Sequence, residues 1–152
     1  MAAILGLNAK TYFAGTIASP VFTDEVGPIK EETINLEKSL ADITDRRADG
    51  WRLQAGTLKE GTVDIQMIYD PADADFAQFE DAFFNNDQLV LAFMDGDCTV
   101  AGTYNGLLGA FEVTSFSQPR PLEDAIVVDM TLTPVLEDTT NSPPQWYTTT
   151  IL

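Results

Sequence analysis

Carboxylates are the main groups in this sequence that could do chemistry. The chain of 152 residues has 24 Asp and Glu, no His and a single Cys. Without His, a Ser-His-Asp triad and a Cys-His pair are excluded, and zinc and haem sites lose their usual ligands. Two carboxylates can perform hydrolysis, but no pair among the 24 stands out. The sequence therefore predicts a protein that is not an enzyme and has no cofactor.

One acidic motif resembles a metal site. Asp95, Asp97 and Thr99 match the start of a calcium-binding loop, but Val100 stands where that loop needs glycine. We interpret the motif as a polar turn between strands. Cys98 directly follows this pair of aspartates, whose negative charges disfavour a thiolate. We therefore expect no metal here and an unreactive thiol.

The charge of the chain is strongly negative and unevenly placed. The net charge is −16, which argues against tight binding to nucleic acid because phosphate would be repelled. Residues 1–59 hold 7 basic and 8 acidic side chains, whereas residues 60–152 hold 1 and 16. An assembly in which the basic segment of one subunit meets an acidic face of the next would use this asymmetry. The dense basic group consists of Arg46, Arg47, Arg52 and Lys59.

Two features bear on the compartment. A single Cys cannot form an internal disulfide, so nothing indicates an oxidising environment. No N-terminal signal is evident, and no apolar run approaches the roughly 20 residues that span a bilayer. We expect a soluble protein made in the cytoplasm, with no membrane insertion.

Alternation of apolar and polar residues predicts a mainly β (α+β) protein. Asn105-Gly106 predicts a hairpin turn, and Pro134 is expected to end the last strand. Many short strands with one helix indicate a β-sandwich or barrel on which the helix packs. The strands are predicted at residues 7–13, 33–38, 63–69, 89–94, 99–104, 108–116 and 126–133.

One segment changes to a helical period. Asp70 is the predicted N-cap and Pro71 the first helical residue, so the helix is expected at about 71–85. Asp73 and Asp75 could be read as part of a metal cluster, but acidic residues in a first helical turn suit the helix dipole. The predicted apolar stripe consists of Ala72, Phe76, Phe79 and Phe83.

Two segments do not fit a compact core. Residues 39–56 form a long polar segment, predicted to be an extended loop that contains Trp51. Trp51 either folds back over the sandwich edge or anchors a subunit contact. Residues 135–152 are predicted to be a C-terminal arm outside a sandwich domain at residues 1–134. Its apolar end is a candidate docking element, comprising Trp146, Tyr147, Ile151 and Leu152.

The order of these motifs resembles the tail tube proteins of long-tailed bacteriophages. The resemblance begins with Asp42-Ile43-Thr44, an arginine at 46 or 47, and Gly50-Trp51. It continues through the strand at residues 63–69, the aspartate-rich helix start, and Val113-Thr114, Phe116 and Pro121-Leu122. It covers most of residues 1–133 and rests on the ordered set of motifs.

The resemblance implies a structural virion protein with a β-sandwich and one flanking helix. Hexameric rings would stack into a tube that delivers DNA, assembled in the host bacterial cytoplasm and located in the virion tail. The implied partners are further copies of the chain, the tape measure, terminator and baseplate or tip proteins, and DNA in non-specific passage. The loop that would reach a neighbouring ring contains Asp42, Arg46, Arg47, Trp51 and Arg52.

Asp64 and Asp129 occupy outward positions on their predicted strands, so they are candidates for an acidic lumen that repels phosphate. Three alternatives remain open. One is another virion component of related fold, such as a tail terminator or baseplate protein, which should form a single ring. A carbohydrate-binding β-sandwich would need an exposed aromatic platform. A small hydrolase would need a carboxylate pair.

Overall fold

The computed structural model describes residues 3–138 and 141–152, about half of which lie in antiparallel strands. The prediction of a mainly β protein with one α-helix is confirmed for these residues. The strands are β1 (Lys10–Phe13), β2 (Ile29–Asp42), β3 (Gln54–Ile68), β4 (Leu89–Met94), β5 (Gly102–Ser117), β6 (Val127–Val135) and β7 (Gln145–Ile151). The helix is α1 (Ala74–Asn85), and short 3-10 turns cover Gly6–Asn8 and Arg46–Ala48.

The strands form one sheet in the order β1-β4-β5-β6-β3-β2, and β7 also pairs with β5. β5 is the longest strand: one edge pairs with β4, and the other pairs first with β7 and then with β6. The sheet curls so that its two end strands approach each other. Thr11 Oγ1 of β1 donates a hydrogen bond of 2.6 Å to Glu32 Oε2 of β2.

Both faces of the central strands are buried. Side chains alternate across a strand, so each central strand contributes to a core on either face. One face forms the first core, in which α1 places Phe76 and Phe79 against the sheet. The opposite face forms the second core, covered by Ala14, Ile17 and Phe22 of the segment after β1 and by Tyr147 of β7. The central strands give the first core Leu91, Phe93, Leu107, Phe111 and Val113, and the second core Ala92, Met94, Leu108 and Ala110.

The helix begins three residues later than predicted. Asp73 is the N-cap, accepting hydrogen bonds from the backbone N–H groups of Asp75 and Phe76 at 2.9 and 3.2 Å. Tyr69 N–H still donates to the carbonyl of Ile126 at 3.0 Å, which keeps the chain beside β6 and delays the helix. Asp70 instead accepts from the N–H of Ala72 in a turn. Ala72 is therefore exposed and outside the stripe that buries Phe76 and Phe79.

The predicted hairpin turn at Asn105-Gly106 is wrong, since both residues lie inside β5. The segments at 99–104 and 108–116 therefore belong largely to one continuous strand, and the turn lies at residues 95–101. Gly106 is needed for close packing rather than for a turn. A Cβ at this position would lie 2.0 Å from the carbonyl oxygen of Phe93 in β4.

The other strand boundaries also differ from prediction. β1 begins at Lys10, where pairing with Met94 starts, and Leu7 lies in a 3-10 turn with 89% of its surface exposed. β2 continues past Lys38 to Asp42, and β3 already begins at Gln54. Residues 39–42 and 54–56 therefore belong to two paired strands, and the predicted loop is shortened to residues 43–53. Pro134 lies inside β6, at a point where β3 no longer pairs, so its missing N–H leaves no partner unsatisfied.

The C-terminal segment adds a strand to the sheet, so the expected arm outside the sandwich has to be revised. β7 pairs antiparallel with β5 from Gly102↔Ile151 to Leu108↔Gln145. The ring of Tyr147 lies 6.2 Å from that of Phe22 between their centroids, at the margin of the second core.

Candidate assembly surfaces

β2 and β3 extend beyond the rest of the sheet as a two-stranded arm, which we define as residues 35–62. β6 pairs with β3 only from Val63 to Ile68, so the arm has no third strand. At about 3.4 Å per residue, its strands reach roughly 27 Å beyond the sheet. The arm exposes six large apolar side chains: Leu36, Leu40, Ile43, Trp51, Leu53 and Leu58. They are six of the 18 large apolar side chains that are exposed in the described structure.

The tip of the arm is a folded turn. Asp45 accepts a hydrogen bond of 2.8 Å from the backbone N–H of Arg47 and caps a single 3-10 turn. Asp49 and Gly50 then take positive φ values of 49° and 84°, which reverse the chain. Trp51 follows with 75% of its surface exposed. The hypothesis that Trp51 folds back over the sandwich edge is therefore wrong.

The predicted loop residues lie together at this tip. An open cleft of about 390 Å³ is lined by Asp42, Thr44, Asp45, Arg46, Gly50, Trp51 and Arg52. Arg47 pairs with Asp45, and this hydrogen bond holds the pKa of the Asp45 carboxyl below its usual range. Hydrogen bonds from Thr44 likewise lower the pKa of Asp42, whose second oxygen lies 4.0 Å from Arg52 Nε. These ion pairs are exposed and stabilise the tip only weakly.

The two predicted lumen carboxylates lie on one face of the sheet. Asp64 accepts hydrogen bonds of 3.0 Å from Asn35 Nδ2 and Thr131 Oγ1. Asp129 accepts one of 3.0 Å from Gln66 Nε2. Neutral donors therefore fix the position of both carboxylates without cancelling their charge.

Register extends this face beyond the two predicted residues. Every second residue of a strand lies on the same face, and the register shows which residues of β2, β3, β6 and β5 share the face of Asp64 and Asp129. We call this the outer polar face; it is the side of the sheet opposite the first core. Sequence reasoning missed four of its carboxylates, Glu31, Glu37, Glu60 and Glu112, because their face depends on strand register. Its members are Glu31, Thr33, Asn35, Glu37, Glu60, Thr62, Asp64, Gln66, Glu112, Ser115, Ser117, Asp129, Thr131 and Thr133. These positions hold six carboxylates and no cation.

The predicted docking residues of the C-terminal segment separate into two groups. Tyr147 and Ile151 are half-buried, whereas Trp146 is 63% exposed and Leu152 is fully exposed. β7 pairs with β5 along one edge, and no described strand pairs with its other edge. Free strand edges are templates for pairing with another chain.

The motif at residues 95–99 is a turn between β4 and β5. Asp97 accepts hydrogen bonds from the hydroxyl and backbone N–H of Thr99, at 2.6 and 2.9 Å, and these lower its pKa. Burial raises the pKa of the Cys98 thiol to about 11, and the nearby aspartates add to the shift in the predicted direction. Among residues 3–138 and 141–152, no group of three or more His, Cys, Asp or Glu is placed to hold a metal ion. The helix in these ranges is too short to cross a membrane.

Solved structures share this fold along nearly the whole chain. A chain from the virion of a native gene transfer agent particle superposes with a TM-score of 0.68 at 14% identity, covering 95% of this chain and 99% of that chain. A chain from the tail of the empty gene transfer agent particle, refined with C6 symmetry, gives a TM-score of 0.67 at 14% identity, with the same coverage. The SPP1 tail tube gives a TM-score of 0.65 at 17% identity, covering 99% of this chain and 81% of that chain.

No protein-family model matches the chain, and no curated protein matches its sequence. At these identities the likeness establishes the fold. The resemblance to tail tube proteins that the sequence motifs indicated is therefore confirmed as a shared fold.

Proposed function

We propose that this chain is the repeating subunit of the tail tube of a phage or phage-like particle. The observation that carries the proposal is the fold shared with the SPP1 tail tube over 99% of this chain. The arm supports it independently, because a lone domain gains nothing from projecting six exposed apolar side chains on two strands. The function is structural and needs no catalytic group.

Copies would form rings, and rings would stack into a tube. The C6 symmetry of the gene transfer agent tail supports six copies per ring. A ring requires one surface of each subunit to meet a different surface of the next. The free edges of β2 and β7 supply two such surfaces, and the arm with Arg46, Arg47 and Trp51 would reach an adjacent ring.

The outer polar face is the candidate wall of the channel. Its six carboxylates, Asp64 and Asp129 among them, would repel phosphate, while its threonines and amides offer no cation to hold it. DNA could then move through without being held. The proposed setting is the virion tail, assembled in the host bacterial cytoplasm beside tape measure, terminator and baseplate or tip proteins.

Two alternatives make different predictions. A terminator or baseplate protein of this fold would form a single ring rather than a tube. A carbohydrate-binding module would remain a monomer and present aromatic residues together. In the described structure, however, the most exposed aromatic side chains, Trp51, Phe84 and Trp146, lie on three different elements.

Negative-stain electron microscopy of the purified chain tests the proposal, and we expect hollow tubes of uniform width. Replacing Arg46, Arg47 and Trp51 together with Ala should abolish the tubes and leave a folded monomer, because these side chains contact no core residue. A matched control replaces Arg120 and Leu122, which are exposed on a different loop, and should still form tubes. Normal tubes from the triple variant would show that the tip makes no essential contact, and discrete single rings from the wild type would favour a terminator.

A further inference from the structure

The arm carries like charges directly opposite each other. Lys38 faces Lys59 across the two strands, and Glu37 faces Glu60. Opposed like charges destabilise a strand pair. The arrangement is therefore unfavourable in one isolated chain and favourable where another surface supplies the opposite charge.

Register assigns the two lysines to a single face. Ile34 pairs with Val63 on the side of the first core, and steps of two along each strand lead to Leu36 and then to Lys38 opposite Lys59. Ile34 packs against the first core, whereas Leu36 is 57% exposed, so the core does not extend over this side of the arm. We call it the lysine face: Leu36, Lys38 and Lys59. It is apolar where it leaves the sheet and basic farther out.

These lysines have no carboxylate of their own. Within the described residues the ion pairs join Lys10 to Glu25, Arg47 to Asp45 and Arg52 to Asp42. Lys38 and Lys59 take part in none of them. The lysine face thus presents two charges that none of these ion pairs engages.

An acidic cleft lies on the body of the molecule, away from the arm. It has a volume of about 490 Å³ and is formed where the C-terminal end of α1 meets the start of β4 and residues 137–138. Asp81 and Asp87 line it on the helix side and are exposed. Glu137 is buried and accepts a hydrogen bond from the N–H of Ile17, so it fixes the wall of the cleft. The lining is Gly15, Gln78, Asp81, Ala82, Asp87, Gln88, Leu89, Val90, Glu137 and Asp138, which includes no Lys or Arg.

The arm and the cleft match in charge and in polarity. The cleft combines carboxylates with the apolar groups of Ala82, Leu89 and Val90, and the lysine face combines two ammonium groups with Leu36. No residue of the arm lines the cleft of its own chain. We propose that the lysine face of the arm docks on this acidic cleft in a second copy of the chain. The inference rests on the proposed function and specifies which surfaces meet when subunits assemble.

Charge exchange between two variants tests this contact. One variant carries Lys38→Glu and Lys59→Glu, and the other carries Asp81→Lys and Asp87→Lys. Both should fold: the first keeps the same spacing of opposed like charges, and the second places cations at the C-terminal end of α1, where the helix dipole favours them. Circular dichroism and thermal unfolding of each variant verify this.

Each variant alone should lose at least tenfold in polymer, measured by sedimentation and electron microscopy, because equal charges then meet at the contact. An equimolar mixture should recover polymer to within twofold of wild type, since the acidic arm then meets the basic cleft and the basic arm meets the acidic cleft. The control Glu123→Lys with Asp124→Lys, on an exposed loop, raises the net charge by the same amount as Asp81→Lys with Asp87→Lys and should polymerise normally.

The outcomes separate the two proposals. Wild-type polymer together with normal polymer from both variants would overturn the contact alone. Two defective variants whose mixture also stays defective would overturn it too, and would assign the lysine face to another surface or another tail protein. A wild-type chain that remains a monomer under all conditions would overturn the tail tube function and this contact with it.

Discussion

The central body and the arm use the same residue types in opposite surroundings. Leu108 and Phe111 of β5 are fully buried on opposite faces of the sheet, whereas Leu58 of the arm is 75% exposed. Burying such a side chain stabilises a structure by roughly 1.5–3 kcal/mol. The body obtains this stabilisation within one chain, and the arm can obtain it only from a neighbour. The body therefore accounts for the stability of the single chain, and under the proposed function the arm would serve assembly.

The largest difference should appear when an aromatic of the first core is removed. Phe79→Ala should lower the free energy of unfolding by about 3–5 kcal/mol, because its ring is fully buried between α1 and the sheet. Leu58→Ala in the arm should change it by under about 0.5 kcal/mol. Urea denaturation of dispersed protein measures both, and similar losses at the two sites would contradict the division between body and arm.

Two glycines offer a matched comparison at the backbone. Gly106→Ala should cost about 1–3 kcal/mol, because the new Cβ would lie 2.0 Å from a backbone oxygen of β4, which cannot move aside easily. Gly56→Ala in the arm places its Cβ 3.5 Å from the flexible side chain of Lys38, an ordinary contact. Thermal unfolding should show a clear loss for the first variant and little change for the second. An equal shift in both would mean that the arm is packed as tightly as the body.

Glu32, close to where the arm leaves the body, should have a smaller effect on the free energy of unfolding, and this effect should depend on pH. Burial raises the pKa of Glu32, against the opposing effect of its hydrogen bond from Thr11. A carboxyl whose folded-state pKa is raised contributes stability below its unfolded pKa and loses that contribution as the pH rises through the folded value. Wild type should therefore lose stability relative to Glu32→Gln as the pH rises from about 4 to neutral, the unfolded pKa being near 4.3. Unfolding curves across this range test the difference, and parallel pH profiles would show that the carboxyl is solvated.

The same contrast explains what could be predicted from the sequence. Residues 63–69 and the stripe containing Phe76 and Phe79 were predictable because burial on one face imposes a period on the residues. The arm has neither face buried within one chain, so its strands carry no such period, and residues 39–42 and 54–56 resembled parts of a polar loop. A period of apolar residues in the sequence indicates burial within the same chain. Strands that are not buried in their own chain therefore show no such period.

The hairpin turn predicted at Gly106 was wrong for a different reason. Asn105-Gly106 has the composition of a hairpin turn, yet the glycine serves the approach of β4. A turn and a close contact both require a residue without a side chain, so one sequence cannot distinguish them. The tertiary neighbour, Phe93, decides which applies.

The candidate surfaces were predictable by residue type and not by arrangement. The charge of the chain indicated Arg46, Arg47 and Arg52 as a group, and the structure places them on the tip of the arm. The opposition of Lys38 and Lys59 depends on strand register, which a bulge between Lys38 and Leu40 shifts immediately afterwards. Register follows from the whole hairpin, so this pair could not be read from local sequence.

The pairing of β5 determines how the molecule unfolds. It pairs with β4 through Gly106–Phe111 on one side and with β7 and β6 on the other, and its side chains enter both cores. Separating this one strand would open both cores together, so the body should unfold as a single cooperative unit. The arm shares none of these bonds and can fray first, before the body opens.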